Sequence, residues 1–186
     1  MYPTSHNIAP IGCLTGVFTP AQCEEIIRIG KSNAAYMGAV GLAAETKTIR
    51  NSKINFLQAK DNEWIFETLA EASIFLNNNE FKFELTGFAE GIQFAEYTAP
   101  DGRYTQHVDC LIGSPIRKLS ISIQLSDEYS YVGGDLILTY APAPLNASRL
   151  QGSLTAFPSY VVHEITPVTE GTRYSLVGWI TGPQFK

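Results

Sequence analysis

The sequence is short of basic residues and of long apolar stretches. Its 186 residues include 13 Lys and Arg against 18 Asp and Glu, a net charge of −5. Because binding to duplex nucleic acid depends on many Lys and Arg side chains that neutralise phosphates, we do not expect a nucleic-acid partner. No apolar run approaches the roughly 18 residues that span a bilayer, and no early segment resembles a signal peptide. We therefore expect no membrane partner and a cytoplasmic location.

Cysteine is also scarce. The three cysteines, Cys13, Cys23 and Cys110, contain no C-x-x-C pair, so neither a disulfide framework nor a cysteine zinc site is indicated. The apolar fraction of 45% and the charged fraction of 17% are those of a globular protein. The length fits one domain over residues 1–186, with a helical buttress within about 19–78 and a core at about 80–182.

Two helices are predicted in the amino-terminal half. Thr19 as a cap, Pro20 at the first helical position and Gln22 three residues after the cap predict a helix that runs to about Ser32. Apolar residues at helical spacing predict a second helix from near Asp61 to Leu76, with a stop at the asparagines 77–79.

The segment between the helices has a different composition. Residues 34–48 are rich in Ala and Gly without a clear period, which fits either a mobile lid or an ordinary surface loop. A strand is predicted to begin after it, over residues 49–57.

Short strands dominate the rest of the sequence. Alternating apolar and polar residues predict half-buried strands at 81–85, 92–97 and 119–125. Further runs separated by Gly and Pro turns lie at 135–140, 153–157, 160–163 and 173–180. Two helices followed by many short strands predict a mainly β fold in which helices flank a β-sandwich or a jelly roll.

The histidines suggest a metal site. Only three are present, and two of them, His107 and His163, lie in the β region, with Asp109 two residues beyond the first. Residues i and i+2 of a strand point to one face, so His107 and Asp109 can bind one ion, with His163 as the candidate third ligand. Two His and one carboxylate leave coordination positions open, as in non-haem Fe(II) oxygenases, whereas a structural zinc site is closed by four protein ligands.

A candidate anion-binding group follows His163 along the chain. Arg173 and Ser175 are two residues apart on a predicted strand, and Val177 and Trp179 continue the same face. An Arg side chain binds a carboxylate through two parallel hydrogen bonds and could anchor a dicarboxylic co-substrate whose other end is at the metal. The alternative is a structural arginine that pairs with Glu164 or Glu170.

Several of these segments together resemble the prolyl 4-hydroxylases of the Fe(II)/2-oxoglutarate-dependent dioxygenase superfamily. The matching motifs are Tyr-Thr-Ala-Pro-Asp-Gly-Arg-Tyr-Thr-Gln-His-Val-Asp at 97–109, the strand 119–125, Gly-Gly-Asp-Leu at 133–136, and the residues from Phe157 through His163 to Arg173. The resemblance is close from Tyr97 to Trp179 and extends loosely to Arg50-Asn51-Ser52, which is similar to an R-x-S element of that family.

The resemblance implies a double-stranded β-helix core, that is, a jelly-roll, cupin-like fold. It implies Fe(II) bound by His107, Asp109 and His163, and 2-oxoglutarate bound by Arg173. Further contacts to the co-substrate are implied at three positions: Tyr97, Ser175 and Gln124. Oxygen is the implied second substrate, and ascorbate a reductant. Collagen-type relatives carry Lys at the position of Arg173, so the sequence resembles the oxygen-sensing and bacterial types instead.

The implied activity is hydroxylation of a prolyl residue in a peptide or protein, with release of succinate and CO2. Arg50 and the 34–48 segment are candidate elements that close over the substrate. Two alternatives remain open at this point: hydroxylation of a free amino acid or another small molecule, and a non-catalytic jelly-roll module that binds a ligand. Tyr104 could contribute either to packing or to the site.

Overall fold

The computed structural model describes residues 9–32, 36–37, 46–110, 115–140 and 143–184. Three α-helices lie among them, α1 (Pro20–Ser32), α2 (Thr46–Ile49) and α3 (Glu63–Leu76). The strands of the described residues are β1 (Gly12–Leu14), β2 (Tyr36–Met37), β3 (Arg50–Asn51), β4 (Lys53–Leu57), β5 (Gly87–Phe88), β6 (Ile92–Thr98), β7 (Gly102–His107), β8 (Arg117–Gln124), β9 (Tyr131–Gly133), β10 (Leu136–Thr139), β11 (Pro144–Asn146), β12 (Leu154–Pro158) and β13 (Val162–Thr181).

Helix α1 has the bounds and the cap that the sequence predicts. The backbone N–H of Thr19 donates to Gln22 Oε1 at 2.9 Å, and the backbone N–H of Gln22 donates to Thr19 Oγ1 at 3.3 Å. These reciprocal bonds satisfy two groups at the helix start that have no partner within the helix, which is why it begins at Pro20.

Helix α3 begins two residues later than predicted, and the chain after it corrects another prediction. A 3₁₀ turn, Ala59–Asp61, precedes the helix, and a π-helical turn, Asn77–Phe81, continues it. Residues 81–85 do not form a strand: Phe81 ends the π turn, Lys82 is left-handed with φ 59°, and the segment then runs irregularly to β5. Phe83 and Leu85 still pack against the core, which explains their alternating pattern without a strand.

The strands form two antiparallel sheets that share β13. The major sheet has the order β1-β12-β8-β13-β6-β4-β2, with β5 beside the end of β13. The minor sheet has β10 and β7 on either side of the first half of β13, with β11 outside β10 and β3 outside β7; β9 pairs with the middle of β13. This arrangement, with helices on one side, is the predicted jelly roll.

Strand β13 joins runs that the sequence suggests are two separate strands. It begins at Val162 in the minor sheet and continues to Thr181 in the major sheet. It changes sheets near Gly171, whose φ of 71° favours glycine and whose added Cβ would lie 2.3 Å from Ser130 O. Because of this change, His163 and Arg173 lie on one continuous strand but in different sheets.

Strand β8 shows how the two sides of the major sheet differ. Leu119, Ile121 and Ile123 pack with the helices in the larger of two hydrophobic clusters. Ser120, Ser122 and Gln124 alternate with them and are buried on the opposite face, toward the minor sheet. Burying polar side chains between two sheets costs free energy unless they form hydrogen bonds. The polar face of β8 therefore indicates a ligand-binding site between the sheets.

Most of the segment considered as a lid lies outside the described residues, so that prediction remains open. Of residues 34–48, the structure describes only β2, which pairs with β4, and the start of α2. Within the described residues, no helix is long and apolar enough to span a bilayer.

Candidate active site

The fold brings the three predicted metal ligands together. His107 ends β7, and its Cα partner across the ladder is His163 of β13. Asp109 follows β7, and its carboxylate lies 3.9 Å from His107 Nε2 through Oδ1 and 3.5 Å from His163 Nε2 through Oδ2. The ligand atoms of all three residues lie within 4.8 Å of one another.

Backbone carbonyl groups determine which imidazole nitrogen faces the carboxylate. His107 Nδ1 lies 2.7 Å from Thr105 O, and His163 Nδ1 lies 3.0 Å from Val161 O. Since a carbonyl only accepts, each Nδ1 donates its hydrogen. Burial, followed by the neighbouring His163, lowers the pKa of His107 to about 4, so this imidazole is neutral at pH 7 and its Nε2 presents a lone pair.

This arrangement fits a divalent cation. The neutral His107 Nε2 faces Asp109 Oδ1 at 3.9 Å, which brings lone pairs together and is unfavourable unless a cation lies between them. Two His and one Asp form the ligand set of the non-haem iron facial triad. A histidine that binds a metal through one ring nitrogen commonly donates the N–H of the other to a backbone carbonyl, as both histidines do here. The residues present therefore fit Fe(II).

Arg173 is buried, at 3% exposure, and its contacts are to neutral groups. Its Nε donates to Gln124 Oε1 at 3.1 Å and its Nη1 to Ser175 Oγ at 3.3 Å, and the guanidinium carbon lies 5.7 Å from the centre of the Tyr97 ring. Within the described part of the chain, no carboxylate lies within ion-pair distance of Arg173, so the alternative of a pair with Glu164 or Glu170 does not occur there.

A cavity of about 450 Å³ opens between the two sheets beside the three ligands. Tyr97 and Ser175, two of the predicted co-substrate contacts, line it, and so does Arg50. Arg173 does not line this cavity but donates a hydrogen bond to Ser175, which does. Arg173 lines a smaller cavity, and Ser122 lines both cavities. A small dicarboxylate could thus extend from the metal site toward the guanidinium.

Comparison with known proteins agrees with this geometry. Residues 92–181 match the family described as the 2OG-Fe(II) oxygenase superfamily, and this region contains all three candidate ligands and Arg173. The resemblance to this superfamily that the sequence motifs suggest is thus confirmed over just under half of the chain.

Two curated relatives of this chain are called PKHD-type hydroxylases. The protein of Synechococcus elongatus is 37% identical over 114 residues, which cover 56% of this chain and 50% of that protein. The protein of Maricaulis maris is 32% identical over 78 residues, which cover 41% of this chain and 36% of that protein. The chain thus spans half or less of the length of these relatives.

Solved structures of prolyl hydroxylases share the fold. A Pseudomonas putida prolyl-4-hydroxylase has a TM-score of 0.74 at 20% identity, with 94% of each chain covered. A Trichoplax adhaerens prolyl hydroxylase, solved with a peptide of hypoxia inducible factor, has a TM-score of 0.77 at 15% identity, with 92% of this chain and 83% of that chain covered. These likenesses confirm the jelly-roll prediction for this chain.

Two buried serines, which the sequence did not point to as site residues, orient Asp109, the candidate carboxylate ligand. Ser120 Oγ donates to Asp109 Oδ2 at 2.7 Å, and Ser120 Oγ and Ser159 Oγ lie 3.0 Å apart. The backbone N–H groups of Asp109 and Cys110 both donate to Ser159 O. Ser120 belongs to the polar face of β8. Its position between Leu119 and Ile121 in the sequence was the one available sign that a polar group is buried there.

Ser120→Ala should weaken Fe(II) binding by about 10-fold, because loss of a hydrogen-bonding partner of a metal ligand typically costs 10- to 100-fold in affinity. Anaerobic titration with Fe(II) measures this. Ser122→Ala is the matched control, since Ser122 lies on the same face of β8 but not against Asp109. Equal iron affinities for Ser120→Ala and the unaltered protein would contradict a positioning role.

Both ends of the Gln124 amide form hydrogen bonds, and its oxygen contacts Arg173. Its Oε1 accepts from Arg173, and its Nε2 donates to Ser126 O at 3.1 Å and to Tyr131 Oη at 2.9 Å. It lines the smaller cavity together with Arg173 and does not line the larger one. The structure therefore makes it a residue that positions the guanidinium, and the direct co-substrate contact that the resemblance implies stays a prediction.

Tyr104 belongs to the site as well as to the packing. Its ring stacks on the imidazole of His107, with centroids 3.5 Å apart and 19° between the planes, and Arg50 lies over the ring at 4.6 Å. Burial raises the pKa of Tyr104 to about 12, so its hydroxyl stays protonated at neutral pH. The stack limits the rotation of a metal ligand.

Proposed function

We propose that the chain catalyses the 2-oxoglutarate-dependent hydroxylation of a prolyl residue in a peptide, with formation of succinate and CO2. One observation supports this above the others: the cavity that contains His107, Asp109 and His163 lies beside Arg173, a buried cation without a carboxylate partner among the described residues. The prolyl substrate is inferred from the two structural relatives, which are prolyl hydroxylases.

Each residue has a defined task in this proposal. His107, His163 and Asp109 would hold Fe(II), which, when bound with 2-oxoglutarate and O2, supplies the oxidising chemistry. Arg173, oriented by Gln124, would hold the far carboxylate of 2-oxoglutarate through its planar fork of N–H groups.

The other cavity residues would orient the reactants and exclude water. Tyr97 and Ser175 would add hydroxyl groups along the co-substrate. Apolar side chains between the two ends, Leu136, Phe157 and Ile165, keep water out of the reaction space, which strengthens the polar interactions within it. Ascorbate would serve as an external reductant.

Two experiments test the proposal. Anaerobic addition of Fe(II) and 2-oxoglutarate should produce a visible charge-transfer band, and admission of O2 with a proline-rich peptide should add one oxygen atom to proline, as seen by mass spectrometry. A non-catalytic module would remain colourless and release no succinate. Oxygen incorporation into free proline but not into any peptide would show that the substrate is a small molecule.

A further inference from the structure

Two buried hydrogen-bond donors that line the cavity have no partner among the described residues. Of the buried side-chain nitrogen and oxygen atoms in the described residues, only Arg50 Nη2, Trp179 Nε1 and Ser73 Oγ lack a hydrogen bond. Ser73 belongs to α3, but Arg50 and Trp179 both line the larger cavity. A buried donor without a partner costs roughly 1 to 3 kcal/mol, and more when it is charged, so two such donors in one cavity suggest that a ligand completes them.

Within the part of the chain that the structure describes, the side chain of Arg50 contacts neutral groups. Its Nε donates to Ser52 Oγ at 2.8 Å, its Nη1 donates to Gln93 Oε1 at 3.3 Å, and its guanidinium carbon lies 4.6 Å from the centre of the Tyr104 ring. The residue is 5% exposed. Burying a guanidinium without an anion is expensive, so the missing partner should carry negative charge.

The other arginines show how unusual this is. The chain has six, all within the described residues, and four of them form an ion pair with a carboxylate: Arg28 with Glu25, Arg103 with Asp101, Arg117 with Glu90 and Arg149 with Asp135. The remaining two are Arg50 and Arg173, both buried beside the site. In the proposed function the co-substrate neutralises Arg173, and Arg50 remains as an unmatched positive charge.

Trp179 contributes a donor without charge to the same cavity. Its ring lies 3.8 Å from the guanidinium carbon of Arg117, which is fixed by both oxygens of Glu90. Because the Arg117–Glu90 pair is already neutral, it does not supply the missing anion for Arg50. An oxygen-rich anionic ligand would satisfy the indole N–H and the guanidinium together.

We infer that Arg50 and Trp179 form a second carboxylate-binding site, which holds a carboxylate of the hydroxylated substrate itself. The inference rests on the proposed function and narrows its substrate class to prolyl compounds that carry a carboxylate near the reacting ring. Arg50 pairs across the ladder with Tyr104, which stacks on His107, so the carboxylate is held next to the metal site.

Three peptides that share one N-acetylated, proline-containing sequence test the site. The first ends in proline with a free carboxylate, the second ends in prolinamide, and the third is amidated but has Asp next to proline. Of the two peptides with a carboxylate, one should be the better substrate, and we expect the KM of the second peptide to exceed the KM of that substrate by about 30-fold. This factor is within the range that the loss of a hydrogen bond to a charged group produces. A lower KM for the first peptide would show that the site binds a C-terminal carboxylate, and a lower KM for the third that it binds the carboxylate of an acidic side chain.

Arg50→Gln should abolish this discrimination, and Trp179→Phe, which keeps the ring but removes the N–H, should reduce it by a few-fold. The KM for 2-oxoglutarate should not change in either variant. Arg28→Gln, at an exposed pair on α1, is the matched control and should behave like the unaltered protein. Calorimetric titration of the iron-free protein with the three peptides gives a readout that does not depend on turnover, and thermal melting establishes that each variant is folded.

The possible results separate this inference from the proposed function. If peptides are hydroxylated but amide and carboxylate forms have equal KM values, prolyl hydroxylation stands and the second site is wrong. If no peptide reacts but free proline binds more tightly than prolinamide, and Arg50→Gln removes that difference, the peptide assignment fails and the carboxylate site stands. A raised KM for 2-oxoglutarate in Arg50→Gln would assign Arg50 to the co-substrate and overturn the inference.

Discussion

Replacing His107 with alanine should reduce Fe(II) affinity by at least about 100-fold, because even the loss of a partner that merely orients a metal ligand costs about 10- to 100-fold. The substitution leaves Asp109 and His163, 3.5 Å apart, as a two-residue site that holds iron poorly. Equilibrium dialysis of Fe(II) under anaerobic conditions, followed by metal analysis, measures the affinity. Succinate formation should fall in parallel.

Two variants separate loss of a ligand from loss of structure. His107→Gln keeps more of the volume that stacks on Tyr104 and should fold, as judged by thermal melting, yet still bind iron weakly. His6→Ala removes the one histidine not assigned to the site and is the matched control. Full iron binding by His107→Ala, or an equal loss in His6→Ala, would contradict the assignment of His107.

Replacing Arg173 with alanine should raise the KM for 2-oxoglutarate by about 30-fold or more while Fe(II) binding changes little. Truncating one partner of a buried charge pair costs at least about 2 kcal/mol, which corresponds to that factor. The substitution removes the fork of donors that Gln124 and Ser175 orient. Initial rates of succinate formation over a range of 2-oxoglutarate concentrations give the KM.

Arg173→Lys provides a graded second variant. Lysine keeps the charge but offers no planar fork, so the KM should rise by about 10-fold, less than in Arg173→Ala. Arg28→Ala, at an exposed position, controls for removal of an arginine as such. If the co-substrate dependence of Arg173→Ala were the same as that of the control, Arg173 would not be the anchor.

Local signals predicted the helices well and one strand wrongly. The cap at Thr19 and the apolar period of α3 depend on neighbours within one or two helical turns, which is why the sequence specifies them. The pattern at 81–85 alternates like a strand, but the π turn after α3 directs Phe81, Phe83 and Leu85 into the core without strand pairing. Alternation reports which side chains are buried and not how the backbone is bonded.

The site was predictable only in part. His107 and Asp109 are two residues apart, so the extended backbone alone places them on one face, and His163 followed from the scarcity of histidine. The contributions of Ser120 and Ser159 to Asp109 were not predictable, because these partners come from the strand β8 and from the turn after β12. The contact between Gln124 and Arg173 was not predictable for the same reason, since the two residues lie on different strands.

The amino-acid sequence by itself determined the chemical groups of this protein: two imidazoles, a carboxylate and a guanidinium on residues suited to strands. Only the tertiary structure decided which cations have partners. Arg50 and Arg173 look like any other arginines in the sequence, but the pairing of β3 with β7 and the course of β13 through both sheets bury them away from every described carboxylate. Charge pairing depends on distance in space, which the order of residues along the chain does not contain.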